Sequence, residues 1–212
     1  MAKTKPFEEH TGRYEQWFEE NRYVYQSEIL ALKKILPPFK TGLEIGVGTG
    51  RFAEPLAITR GLEPSDKMAD IARKRKIEVI RGVAEDMPFS NNSFDLVLMV
   101  TTVCFLDDIS QALKETFRIL EPGGWLLIGF IDKNSLMGRL YQAIKHQNIF
   151  YRDAVFYSTA RLTDYVKDAG FINLTYSQTL FKPVQEMNGV EKPLIGYGQG
   201  SFVVIRGQKP GA

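Results

Sequence analysis

The chain has one cysteine, Cys104, and two histidines, His10 and His146, among 212 residues. A lone cysteine excludes an intrachain disulfide, and Cys104 is expected as a buried thiol. No Cys/His spacing suggests zinc, so no metal site is expected. Long apolar runs are missing as well. The longest, Leu96 to Leu106, contains two threonines and is too short to cross a bilayer, and the opening Met-Ala-Lys-Thr-Lys has no apolar signal-peptide stretch behind it. These absences predict a cytoplasmic protein with no membrane span. Charge is nearly balanced, with a formal net charge of +2. The only dense basic run, Arg73 to Lys76, falls where a helix exposes its outer face, so a solvated helix end is expected and no nucleic-acid partner. No repeat or low-complexity tract appears. With 44% hydrophobic content the chain can bury a sizeable core, and one domain over 1–212 is expected.

What is present begins with Gly42 to Gly50, Gly-Leu-Glu-Ile-Gly-Val-Gly-Thr-Gly, a short apolar strand running into three closely spaced glycines. A turn without side chains lets a ligand lie against main-chain N–H groups at the end of a strand. The dinucleotide fingerprint places its third glycine one position later, where this chain has Arg51, so a cofactor other than NAD must be considered. A second buried-strand signal, Ile58 to Leu62, ends in Glu63, followed by Pro64, Ser65 and Asp66. A carboxylate accepts hydrogen bonds only, which suits the two vicinal hydroxyl donors of a ribose. Then come Gly82-Val83-Ala84-Glu85-Asp86-Met87-Pro88-Phe89, Asn91-Asn92-Ser93-Phe94-Asp95 and the apolar run Leu96 to Val100.

In this order the segments resemble a class I S-adenosylmethionine (SAM)-dependent methyltransferase, of the branch typified by ubiquinone/menaquinone-biosynthesis methyltransferases. The likeness is dense over residues 40 to 131, with further echoes in Glu121-Pro122-Gly123-Gly124 and Ala169-Gly170-Phe171. The resemblance implies SAM as cofactor, with Gly46, Gly48 and Gly50 against its methionine part and Thr49 offering a hydroxyl to its carboxylate. Glu63 would hold the ribose hydroxyls. Met68 would pack on the adenine ring, and Ala84 and its neighbours would meet the adenine edge. Many relatives carry an acid just before that alanine; here it is Val83, with Glu85 or a backbone carbonyl as the substitute. The implied cofactor set also includes Glu44, Pro64, Val100, Thr101 and Tyr14. Met68 equally suits apolar packing, since a methionine at helical spacing is more often core.

The element pattern is helical from Phe7 to Leu36, closed by Pro37-Pro38. Strands are expected near 42–47, 58–63, 77–81, 94–100 and 124–131, with helices near 50–57, 65–75, 108–120 and 158–169. Such alternation predicts an α/β fold, a doubly wound and mostly parallel sheet with helices on both faces. The runs Phe171 to Phe181 and Ser201 to Arg206 predict a hairpin. The resemblance makes the whole Rossmann-like, with an antiparallel C-terminal tail.

Two regions are left to shape a substrate pocket for a small-molecule methyl acceptor. In the helical cap, 1–40, Tyr14, Trp17 and Phe18 either cover a bound cofactor or staple the helix to the domain. In the segment 132–158, Tyr141, His146, Phe150, Tyr151, Phe156 and Tyr157 read as a lid, with a helix expected over Ser135 to His146. Trp17, Phe18, His146, Tyr151 and Tyr157 are the substrate-contact candidates. Methyl transfer rests mainly on placement of the acceptor, about 3 to 3.5 Å from the methyl, and exclusion of water. No catalytic base is assigned. His146 is expected to face solvent on a lid helix; pointing inward it would suit an oxygen or carbon acid, and an aromatic pocket without a base would suit an amine. Two other readings stand beside this one: an NAD-type oxidoreductase, opposed by Arg51 and the Glu85 to Asp95 segment, and a non-catalytic domain that binds SAM or its product as a sensor or partner module.

Overall fold

The computed structural model describes residues 4–211. Its strands are β1 (Gly42–Ile45), β2 (Arg60–Leu62), β3 (Glu78–Ile80), β4 (Phe94–Val100), β5 (Leu120–Ile131), β6 (Ile172–Thr179), β7 (Leu194–Ile195) and β8 (Phe202–Gln208). Its helices are α1 (Lys5–Glu9), α2 (Thr11–Glu20), α3 (Arg22–Ile35), α4 (Asp66–Lys74), α5 (Ile109–Ile119), α6 (Leu136–Ile144) and α7 (Thr159–Asp168). The eight strands form one sheet in the order β3-β2-β1-β4-β5-β8-β6-β7. The first five are parallel, β8 runs antiparallel beside β5, and β6 and β7 continue antiparallel. This is the expected Rossmann-like, mostly parallel sheet with an antiparallel C-terminal part.

Alternation along β4 divides the core. Val97 and Met99 face a layer built by Ile109 and Leu113 of α5 and Leu162 and Val166 of α7. Leu96, Leu98 and Val100 face Ala31, Leu32 and Ile35 of α3 and Ala72 of α4. A strand buried on both faces reads as an apolar run, as Leu96 to Val100 of β4 does. Side-chain caps mark the helix starts, Ser65 accepting from Met68 N–H at 3.3 Å and Asp108 from Gln111 N–H at 3.0 Å, each worth about 1 kcal/mol.

Four expectations are corrected. The helix near 50–57 does not form; only one 3-10 turn, Glu54–Leu56, follows the glycine loop. Pro55 has no N–H to donate, and Ala57 turns left-handed at φ 58°. The N-terminal helical stretch is three helices, broken at His10 and Asn21, whose backbones leave helical geometry. Cys104 is half-buried, its thiol donating to Thr101 O at 3.2 Å. Within the basic run, Arg73, Lys74 and Lys76 are exposed as expected, but Arg75 turns inward and pairs with Glu15 and Glu54.

The sheet's strand order reverses at β1, with β2 on one side and β4 on the other. A crevice opens beyond the carboxyl ends of strands at such a switch point. The loop 46–50 leaves β1 there. Among the described residues no helix is long and apolar enough to cross a membrane.

Candidate functional site

The three glycines of the loop do different work. A Cβ added at Gly46 would meet the Thr102 side chain at 2.5 Å, and one at Gly50 would meet Ile77 at 2.4 Å, so both are forced by close packing. Gly48 has φ +54°, and its added Cβ would stand 3.4 Å from Met68 Cε and 3.6 Å from Tyr14 Oη. That space belongs to a cavity of about 670 Å³, in the middle of the range of roughly 300–1,000 Å³ that holds small molecules and cofactors.

Glu63, at the tip of β2, is buried, and both its oxygens face backbone donors. Gly48 N–H donates to Oε2 at 2.8 Å and Ser65 N–H to Oε1 at 2.9 Å. Each oxygen keeps lone-pair capacity for another donor. Burial pushes this carboxyl up to about 7, against the two backbone hydrogen bonds.

From the loop the cavity runs between the N-terminal helices and the segment after β5. Of the candidate residues, its wall includes Tyr14, Trp17, Phe18, Gly46, Gly48, Glu63, Pro64, Met68, Val83, Ala84, Glu85, Val100, Thr101 and Tyr151. Five others stand off the wall. Gly50 packs behind the loop, and Thr49 turns its hydroxyl to Glu15 Oε1 at 2.5 Å, away from any carboxylate in the cavity. Glu44 is buried behind the loop, with Oε2 lacking a partner in the structure. His146 is exposed, as expected for a solvent-facing side chain, on a 3-10 turn beyond α6, and so is not brought to the cavity as a substrate contact. Tyr157 instead packs its ring edge-on against Tyr165, 5.9 Å between centroids. Glu85, the substitute acid for the adenine amino group, has Oε1 committed to the N–H groups of Asp107 and Asp108 at 2.9 and 3.2 Å.

The wall also contains groups that sequence reasoning did not single out, among them Phe7, Phe105, Met137, Leu140 and Glu28. Phe7 meets Phe105 and Phe150 at 5.2 and 5.3 Å between centroids, joining α1 to the far side of the cavity. The α2 helix is held over the glycine loop by Glu15. Its carboxylate takes Arg51 Nη2 at 2.9 Å, Arg75 Nη2 at 2.6 Å and the Thr49 hydroxyl. Burial works to raise Glu15, but these partners outweigh it and hold the carboxyl below its ordinary value. The neighbouring Tyr14 phenol is raised by burial and by Glu44 and Glu63, so it remains a protonated donor.

The structure fits a cationic adenosyl donor. The bare face of Gly48 would be filled by any Cβ, and Glu63 retains acceptor capacity. Among the described residues no cluster of His, Cys, Asp and Glu could hold a metal ion.

Comparison with known proteins bears on the family of the chain. Residues 43–128 match the methyltransferase domain family. A crystal structure from Thermotoga maritima, described as a SAM-dependent methyltransferase and possible histamine N-methyltransferase, is 50% identical. It superposes with a TM-score of 0.94 over 97% of this chain and 98% of that one. An uncharacterized protein of Methanocaldococcus jannaschii is 42% identical over 203 residues, 96% of this chain and 98% of its own length. The demethylmenaquinone methyltransferase of Chlorobaculum tepidum is 34% identical over 137 residues, 60% of this chain and 56% of that enzyme. The chain is thus an enzyme of the class I SAM-dependent methyltransferase family, with SAM as its cofactor.

Proposed function

We propose that this enzyme transfers the methyl group of SAM to a small-molecule nucleophile enclosed between the N-terminal helices and the segment 132–158. The observation that carries this reading is the continuity of one cavity from Gly48 and Glu63 to the aromatic side chains of α2 and the 132–158 segment. In it Gly48 and Glu63 hold the donor, with Met68, Val83 and Ala84 along its adenosine end. SAM supplies a methyl already activated on a sulfonium, so the chain's own task is placement and dryness. Tyr14, Trp17 and Phe18 cap the donor side, and α6 with Tyr151 acts as a lid that keeps water from the acceptor. Tyr14, being protonated, donates a hydrogen bond and does not serve as a base.

The relatives' names span an amine and a quinol-type acceptor, so the test needs both. Calorimetry with SAM, followed by turnover of methyl-labelled SAM against amines, phenols and quinols, is expected to show micromolar-range binding and transfer to one class. Binding without transfer to any acceptor would replace the enzymatic reading with the sensor reading.

A further inference from the structure

One buried acid has no place in the donor site. Glu28, on α3, is 4% exposed and lines the cavity. Glu44, Glu63 and Glu15 all have hydrogen-bond donors, but Glu28 has no hydrogen bond or ion pair among the described residues. A carboxylate taken out of water without a partner is costly and takes up a proton unless a cation answers it. Burial alone pushes Glu28 up to about 8. Its surroundings are aromatic. Tyr141 and Tyr151 stack at 5.3 Å and 21°. Burial first, and the nearby Glu28 carboxylate after it, raise the Tyr141 phenol to about 12. The same carboxylate also adds to the rise at Tyr151 and Tyr14. These three tyrosines therefore face Glu28 from α2, α6 and the following loop as neutral groups, and no cation among them answers it.

We infer that the methyl acceptor is a small amine, whose ammonium group is bound by Glu28 beside the Tyr141 and Tyr151 rings and gives Glu28 a proton before methyl transfer. This rests on the methyl-transfer reading above and names its substrate class. Ring faces attract a cation, and a carboxylate among them gives that cation a fixed seat. An ammonium has no free lone pair, so it must lose one proton first. That proton passes to a Glu28 oxygen. The freed nitrogen lone pair then forms the N–C bond to the methyl as the C–S bond breaks with its electrons on sulfur. The product is a methylated ammonium and a neutral thioether, with Glu28 carrying the extracted proton until it exchanges with solvent. Burial raises the Glu28 carboxyl toward the range of an amine, which makes the hand-over less uphill than to an exposed carboxylate.

The test uses the full chain and the variant Glu28→Gln, which keeps shape and removes the charge. Calorimetry is run first with SAM, then with a panel of primary and secondary amines, matched phenols and carboxylic acids on protein loaded with S-adenosylhomocysteine. Wild type is expected to bind and methylate amines selectively. Glu28→Gln is expected to lose at least 100-fold in kcat/KM and at least 10-fold in amine affinity, to keep SAM affinity within twofold, and to lose the acid limb of the pH profile. Selective methylation of phenols or acids by the wild type overturns the inference without needing the variant. So does amine turnover that survives in Glu28→Gln, or a variant that loses SAM rather than amine. Failure of the wild type to bind SAM would instead sink the methyl-transfer reading itself.

Discussion

Gly48 N–H donates to Glu63 Oε2 at 2.8 Å, so the bare loop after β1 and the acid at the tip of β2 form one hydrogen-bonded unit. A pH dependence follows from it. Burial holds the Glu63 carboxyl at about 7, above its ordinary 4.5, despite the Gly48 and Ser65 amides and with a small push from Glu8. A carboxyl raised on folding favours the fold most below the ordinary value, and that contribution is lost as pH rises through 7. Ribose hydroxyls need the ionised form as acceptor, so SAM affinity should move the other way. It is expected to rise about tenfold between pH 6 and pH 8 and then level off. Glu63→Gln should flatten this rise by about that factor, and Glu63→Ala should weaken SAM by roughly 1 to 3 kcal/mol. Calorimetry across that range decides it, and an unchanged affinity in Glu63→Ala removes Glu63 from the donor site.

Gly48 and Gly46 should respond differently to alanine. At Gly48 the left-handed φ costs about 1–2 kcal/mol for any side chain, but the new Cβ enters the cavity, touching only Met68 Cε and Tyr14 Oη at its edge. Gly48→Ala should therefore fold with a modest fall in Tm and bind SAM at least tenfold more weakly. At Gly46 the Cβ would strike Thr102 at 2.5 Å, so the main loss should be stability. Thermal melts with and without SAM separate the two. Equal SAM-induced stabilisation in wild type and Gly48→Ala would mean that the donor lies elsewhere.

Much of this site was legible in the residues because backbone geometry restricts them. Three glycines after an apolar strand, and an acid after the next strand, have few other uses, and the structure puts Gly48 and Glu63 in one hydrogen bond. Side-chain direction was not legible. Thr49 lies in the same loop yet turns to Glu15, a residue 34 positions earlier, which no local pattern reveals. The helix expected at 50–57 failed because Pro55 and the left-handed Ala57 outweighed its apolar residues. Glu28 was missed as one more acid in a mixed helix. Its signal was position: it shares the buried stripe of α3 with Val24, Ala31, Leu32 and Ile35, where a carboxylate needs a reason.

Glu15 should act as the anchor of α2. Its carboxylate gathers Arg51, Arg75 and the Thr49 hydroxyl, and Arg51 also reaches Glu19 at 2.8 Å. Glu15→Ala should destabilise the chain by about 1–3 kcal/mol, since both arginines keep a second acidic partner, Glu19 or Glu54. A carboxyl held low in the fold contributes stability that is present above its ordinary value and lost as pH falls through the lowered one. Wild type should thus lose this contribution in acid, and Glu15→Ala should show a shallower loss of Tm below pH 5. Parallel acid profiles for the two proteins would mean that the cluster does not hold α2.

The segment 132–158 is clasped at its ends by one buried carboxylate, that of Asp132. Its Oδ1 accepts from Asn134 N–H at 2.6 Å, and its Oδ2 accepts from Thr159 N–H at 3.0 Å and from the Thr159 hydroxyl. The first residues past this clasp carry α6, which brings Met137, Leu140 and Tyr141 to the cavity, whereas Gly48 and Glu63 follow directly on β1 and β2. Thr159→Val keeps the side chain's shape and removes only its O–H donor, leaving Oδ2 with the single amide, a loss of about 1–2 kcal/mol confined to the clasp. Because the donor half is built on strands and the other wall on this segment, the two should uncouple. SAM affinity should stay within twofold of wild type, the KM for the acceptor should rise several-fold, and amide exchange should quicken over 133–158 but not over β4 or β5. Uniform exchange with an unchanged acceptor KM would show that packing of α6, rather than the Asp132 clasp, holds the segment in place.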